Sequence, residues 1–179
     1  MNNAWVQFYD VFEQTGLSSY YDIDKLKEEN FEIRKQVMEY VINSGDDVSL
    51  EEAINYSHLR NVKVFVTMNT IIFQDELPLA YSTIDELAKA NIDAIIIQDL
   101  GLANFLRKHY PEIPLHGSTQ MTVHNLDGVK QLEKLGFSRV VLSRELSIEE
   151  IRYIRENTNI ELEVFIHGAL CISYSGQCL

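Results

Sequence analysis

Residues 93–99 read DAIIIQD, an unbroken apolar run from Ile95 to Ile97 closed by Gln98 and Asp99. A strand with one face in water alternates apolar and polar residues; a strand buried on both faces does not, and such strands belong to parallel sheets covered by helices. The run is too short for a helix of ordinary length, and its β-branched residues favour the extended chain. A second continuous run, Val140–Leu142, stands in RVVLS (residues 139–143). Three more strand candidates lie around these two: KVFVTMN at 63–69, PLHGSTQ at 114–120 and ELEVFIHG at 161–168. Their starts recur at the spacing of successive strand–helix units, so right-handed crossovers are expected between them.

The helices between the strands carry their own punctuation. Ser49 with Glu52, Thr83 with Glu86, and Ser147 with Glu150 have the spacing of capping boxes, in which each partner satisfies a free backbone N–H. Gly136 after Leu135 suits a left-handed helix stop. Val129, Leu132 and Leu135 share one helical face. Asp75 and Glu76 read as the start of a helix, where acids favour the dipole.

Polar groups stand at the C-terminal ends of all five strands: Asn69, Gln98–Asp99, Ser118–Gln120, Arg144–Glu145 and His167. In a closed barrel these ends converge on one mouth, where active sites sit; in an open sheet they would spread along an edge. The expected fold is therefore α/β, an incomplete (β/α)8 TIM-barrel-like domain with about five parallel βα units, since a full barrel takes about 200 residues or more. The barrel portion is assigned to residues 49–179. Residues 1–48 form an atypical segment with no evident strand: an aromatic stretch holding Trp5, Phe8, Tyr9, Phe12, Tyr20 and Tyr21, then one long helix with an apolar stripe of Leu26, Ile33, Val37, Tyr40 and Val41.

The chain has 179 residues, 46% hydrophobic and 23% charged, with a net charge of −12. That composition indicates a globular domain. Its overall field does not attract nucleic acid, so a phosphate-binding surface would have to be local or lie elsewhere. No run reaches the length of a membrane span, and the N-terminus lacks the basic start and apolar block of a signal peptide. A cytoplasmic location is expected. In that compartment the two cysteines, Cys171 and Cys178, are better suited to metal or redox chemistry than to a structural disulfide. No nucleotide-binding glycine motif and no GxSxG or HExxH motif is present.

Both cysteines fall in a glycine-punctuated loop after the last strand, with six residues between them. Thiolates are soft ligands for zinc or iron–sulfur clusters. The spacing is wider than a zinc knuckle, and a cluster ordinarily takes four cysteines; two buried apolar thiols are the competing structural reading. His167, four residues before Cys171, could lower a thiol pKa or merely cap the strand. Ser118, Gln120, Ser143, Arg144 and Glu145 would suit a small polar substrate bearing a carboxylate, with Arg144 as bidentate partner, unless Arg144 and Glu145 simply pair with each other.

The final stretch ELEVFIHGALCISYSGQCL resembles the signature of the peptidase U32 family, the collagenase-like proteases, through Glu163, Phe165, His167, Gly168, Ala169, Cys171, Ser175, Gly176 and Cys178. Upstream, VKVFVTMNT, DAIIIQDLG, HGSTQMTVHN and RVVLSRELSIEEI are similar to the family in the same order, over roughly residues 45–179. The resemblance implies a βα barrel. It implies either peptidase activity or, as in other members, [4Fe–4S]-dependent, oxygen-independent hydroxylation of tRNA, ribosomal RNA or a ubiquinone precursor, in some cases with prephenate as hydroxyl donor. Cys171 and Cys178 match the first two of four cluster ligands. Asn69, Gln120, Glu145 and His167 are the expected catalytic residues at the mouth, and Arg144, Ser118 and Tyr174 the expected substrate contacts. The family's Pro–Ala–Gly turn and Gly–Ala–Asp stretch are not found in residues 1–44, and its other two cluster cysteines would lie beyond Leu179. A fragment or truncated product of such an enzyme is therefore expected, with an inactive remnant or a partner-binding module as the alternative from another class, and a partner chain is possible.

Overall fold

The computed structural model describes residues 5–9, 49–166 and 171–177. The long helix and most of the aromatic segment expected before residue 49 lie outside the described residues. The chain divides into two compact units, one built on Thr67–Gln74 and Ala94–Leu179, the other on Trp5–Val66 and Asp75–Asp93.

The second of these holds strand β1 (Trp5–Tyr9), helix α1 (Leu50–His58), most of strand β2 (Lys63–Met68) and helix α2 (Leu77–Lys89). β1 corrects the sequence reading, which finds no strand before residue 49; Trp, Val, Phe and Tyr are strong strand formers, and their crowding reads only as an aromatic cluster. α1 starts where its capping box places it: Ser49 Oγ accepts the Glu52 N–H at 3.2 Å, and Glu52 Oε2 accepts the Ser49 N–H at 2.9 Å. It buries Ala53, Ile54 and Ser57 on one face. The four central residues of β2 are buried on both faces, as a parallel-sheet strand requires. Asp93 ties this unit together, accepting the Val64 N–H and bonding His58 Nε2, both at 2.8 Å.

α2 does not start at the Thr83–Glu86 box. It begins at Leu77, with Glu76 at the cap position and Pro78 in the first turn. Proline fits there because its φ is already helical and its missing N–H has no partner to lose. Thr83 consequently lies inside the helix, where its hydroxyl donates to the Leu79 carbonyl at 3.0 Å.

The other unit continues the alternation: β3 (Ala94–Ile97), α3 (Leu100–His109), β4 (Leu115–Gly117), a 3-10 turn (Thr119–Met121), α4 (Leu126–Lys134), β5 (Arg139–Val141), α5 (Ile148–Glu156) and β6 (Glu161–Glu163). β3, β4, β5 and β6 pair in that order, all parallel, so the α/β class is as expected. The regular strands are shorter than the sequence runs. At β4 the cause is local: Ser118 Oγ accepts the Gln120 N–H at 3.2 Å and turns the chain into the 3-10 helix.

Register sorts the two sheet faces. Ile97, Gly117, Val140 and Leu162 form one row. A Cβ on Gly117 would lie 2.9 Å from Leu132 of α4, so glycine lets that helix pack directly on the sheet. The opposite face carries the row Ile96, His116, Arg139 and Glu161. Charge on this face is paired: Arg139 reaches Glu161 at 2.6 Å and Glu163 at 3.3 Å. Ile54, Ile84 and Leu87 are fully buried in one unit, and Ile95, Ile97, Leu102, Leu106 and Leu115 in the other. Among the described residues no helix is long and apolar enough to cross a membrane.

Candidate functional site

β4, β5 and β6 run parallel in consecutive order, so the segments leaving their C-terminal ends emerge at one edge. After β4 the buried Ser118 acts as a hub: besides capping the 3-10 turn, its Oγ accepts Asn69 Nδ2 at 2.9 Å. Thr122 ends the turn in the left-handed region, φ 58°. That conformation is uncommon for a β-branched residue, and it turns the Thr122 hydroxyl onto the Ser175 carbonyl at 3.0 Å.

After β5 come Arg144 and Glu145, and both turn onto the cysteine-bearing segment 171–177. The Arg144 backbone N–H and Nε donate to Ser175 Oγ at 3.1 and 3.3 Å. Its Nη2 donates to the Ser173 carbonyl at 2.9 Å and its Nη1 to the Cys171 carbonyl at 3.4 Å. Glu145 Oε1 accepts the Ser175 N–H at 2.9 Å and the Ser175 hydroxyl at 3.3 Å. Arg144 and Glu145 themselves approach only to 3.8 Å. The segment closes with a turn in which the Gln177 N–H donates to the Tyr174 carbonyl at 3.0 Å and Gln177 Nε2 reaches Thr122 Oγ1 at 3.2 Å. Gly176 has φ +76°, and a Cβ there would lie 2.1 Å from Thr122 Oγ1 and 2.6 Å from the Gln120 carbonyl oxygen. Only glycine satisfies both the backbone conformation and the space.

Burial pushes the Glu145 carboxyl upward, but the hydrogen bonds from Ser175 and the nearby Arg144 charge outweigh it and hold the group below its ordinary value. Its second oxygen faces His124 Nε2 at 3.3 Å, while His124 Nδ1 lies 3.0 Å from the Thr122 carbonyl and 3.4 Å from Ser143 Oγ. Serine, histidine and glutamate thus stand in the order of a hydrolytic triad. They do not form a working one. Ser143 is buried at 3% exposure, out of reach of a substrate carbonyl, and the histidine nitrogen nearest it lies closer to the Thr122 carbonyl.

The structure therefore brings Asn69, Ser118 and Gln120 together, and separately gathers Arg144, Glu145 and Cys171 around Ser175. Arg144, expected as a carboxylate anchor, spends its guanidinium donors on loop carbonyls. Tyr174 is 69% exposed and Cys171 is exposed. His167 and Cys178 lie outside the described residues. Sequence reasoning gave no role to Thr122, His124 or Gln177. Ser175 stands in the quoted signature, but nothing in its local pattern reveals that its hydroxyl is buried. Among the described residues no group of three or more His, Cys, Asp or Glu side chains could hold a metal ion.

A 23S rRNA 5-hydroxycytidine synthase of Escherichia coli is 43% identical over 136 residues, covering 76% of this chain and 20% of that protein. A tRNA hydroxylation protein P of Escherichia coli is 38% identical over 138 residues, covering 76% of this chain and 30% of that protein. The chain thus spans a third or less of the length of these two relatives. A solved U32 peptidase structure has a similar fold, with a TM-score of 0.55 at 24% identity, over 64% of this chain and 49% of that one, in keeping with a partial TIM-barrel-like architecture. The family model described as peptidase family U32 matches residues 28–179, the span that holds the strand-end hubs and the Ser175 loop, and the chain belongs to that family.

Proposed function

We propose that this chain is part of an RNA-hydroxylating U32 enzyme and carries two ligands of its iron–sulfur site together with part of its substrate-facing mouth. The observation that carries the reading is the exposed Cys171 on a segment fastened from beneath by Arg144 and Glu145. An exposed cysteine on a fixed base suits ligation rather than packing, and thiolate chemistry suits a [4Fe–4S] cluster. The fit is to half a ligand set: Cys171 and Cys178 are the only thiols in the sequence, so two further thiolates must come from outside these residues. When bound, the cluster would supply the electron-transfer or Lewis-acid chemistry of the reaction.

RNA is favoured as substrate because both relatives described above are named for rRNA or tRNA hydroxylation. The geometry adds a point. Asn69 uses its Nδ2 on Ser118, and among the described residues its Oδ1 and the Gln120 side-chain amide make no hydrogen bond. Amides of this kind recognise the polar edges of unstacked bases. Action on tRNA or rRNA would take place in the cytoplasm. A quinone precursor as acceptor and prephenate as hydroxyl donor are carried by the family resemblance alone. With Arg144 committed to the loop, such a carboxylate would need another cation.

The peptidase reading rests on the family description, and the buried Ser143 and bonded His124 weigh against it. The test is to purify the full-length protein without oxygen, measure iron and sulfide, and compare hydroxylated nucleosides in rRNA and tRNA from cells with and without the gene. Stoichiometric iron and sulfide with loss of one hydroxylated nucleoside are expected. Iron-free protein with unchanged RNA would overturn the reading.

A further inference from the structure

We propose that Arg144 and Glu145 are positioning residues that fix the cysteine loop by clamping Ser175, rather than groups that touch substrate. The ligand role of the loop rests on the iron–sulfur reading above; the clamp itself does not.

Every polar group of Ser175 is spoken for by residues about thirty or fifty positions earlier in the chain. Its N–H and hydroxyl hydrogen go to Glu145 Oε1. Its Oγ lone pairs receive the Arg144 backbone N–H and Nε. Its carbonyl receives the Thr122 hydroxyl. The side chain is 4% exposed, whereas its neighbour Tyr174 stands 69% exposed and Ile172 fully so. Burial is thus selective for the residue that carries the bonds.

The two charged residues divide the work by chemistry. The guanidinium has a fork of donors and takes carbonyls, those of Cys171 and Ser173 together with Ser175 Oγ. The carboxylate is an acceptor only and takes the N–H and O–H. A lysine at 144 could not reproduce the fork. A glutamine at 145 could, since its carbonyl oxygen accepts both Ser175 hydrogens. On the other side, Gly176 lets the segment close against the Gln120 carbonyl and the Thr122 hydroxyl, where a Cβ would not fit. The loop is therefore held from the ends of both β4 and β5, while Cys171 itself is exposed.

The test is hydrogen exchange at the Ser175 amide in the full-length protein, with the Leu142 amide, bonded to the Glu163 carbonyl, as internal reference. Hydrogen bonds to charged groups are the stronger ones. Glu145→Ala is therefore expected to exchange at Ser175 about 10- to 100-fold faster, with Leu142 unchanged. Glu145→Gln should recover most of the protection, and Arg144→Lys should lose part of it. If Glu145→Ala also releases Leu142, Glu145→Gln and Arg144→Lys decide in its place.

Iron content after anaerobic reconstitution is the second readout. It should fall in Glu145→Ala and return in Glu145→Gln, whereas Cys171→Ser should lose iron without changing Ser175 exchange. Ser175 exchange within twofold of the parent in both Glu145→Ala and Arg144→Lys would overturn the clamp. A parent protein that shows the clamp by exchange yet binds no iron would sink only the cluster reading.

Discussion

Replacing Gly176 by alanine puts a single methyl group against the most constrained point of the loop. The added Cβ would lie 2.1 Å from Thr122 Oγ1 and 2.6 Å from the Gln120 carbonyl oxygen. Close carbon–oxygen contacts settle at about 3.3 Å, so the turn must move by roughly 1 Å. Movement away from Thr122 gives up the Thr122–Ser175 and Gln177–Thr122 hydrogen bonds, now at 3.0 and 3.2 Å. Each contributes a net ~0.5–1.5 kcal/mol. Holding alanine at φ +76° adds about 1 kcal/mol. The total, ~2–4 kcal/mol, falls on the local opening of residues 171–177 and corresponds to an open population roughly 30- to 700-fold larger. Chymotrypsin under native conditions, with mass spectrometry reading the bond after the exposed Tyr174, measures that population when reclosing outpaces cleavage. The melting temperature should barely move, because the buried strands do not depend on this turn. Gly176→Asn separates the two contributions: asparagine tolerates the left-handed conformation but still carries the Cβ, so its cleavage should fall about fivefold below alanine's and stay well above the parent's. Cleavage after Tyr174 within twofold of the parent in both variants would refute the reasoning.

Asp93→Ala strands the Val64 N–H and His58 Nε2, both now at 2.8 Å; thermal unfolding should show a loss of ~1.5–3 kcal/mol, with Asp93→Asn intermediate. Ser147→Ala removes the hydroxyl that caps α5 at the Glu150 N–H and should cost about 1 kcal/mol by urea titration, with an unchanged slope. Burial raises the Glu163 carboxyl to about 7 from an ordinary value of 4.5, even with Arg139 3.3 Å away. The folded state therefore holds this proton more tightly than the unfolded chain, so stability from this group is full below about pH 4.5 and declines as pH rises toward 7. Glu163→Gln should flatten that part of the stability profile, and an unchanged slope would count against it.

How much of this was legible follows from the range of the interactions. β3 could be read from Ile95–Ile97 because burial on both faces writes itself into adjacent positions. The boxes at Ser49 and Ser147 hold because both partners lie within one turn. Thr83 with Glu86 has the same spacing and fails, because Pro78 can start the helix earlier. β1 hid because its aromatic residues follow no clean alternation. At the site, the polar strand ends were visible as a set, since topology alone brings them to one edge. Their roles were not. Arg144 and Glu145 looked like an ion pair or a substrate clamp because their partners, Ser173 and Ser175, follow about thirty residues later on another element. His124 stood in plain sight within HGSTQMTVHN, yet only the fold brings its ring to Glu145.

The parallel register explains why this clamp can exist at all. With His116 beside Arg139 and Arg139 beside Glu161, three successive strands deliver their exits to neighbouring points. Residues 171–177 can therefore meet Arg144 and Glu145 at the exit of β5 and Thr122 with the Gln120 backbone at that of β4. An antiparallel sheet would send alternate exits to opposite ends and could not hold one loop from two adjacent strand ends. The consequence is a division of labour at one edge. Charged groups that sequence alone would assign to substrate make their hydrogen bonds to the protein's own backbone and to Ser175, while Asn69 and Gln120 meet at Ser118 on the neighbouring strand end. Hydrogen bonds to charged groups are stronger than neutral ones, so two residues suffice to hold a loop whose own Ile172 and Tyr174 lie exposed and contribute little packing.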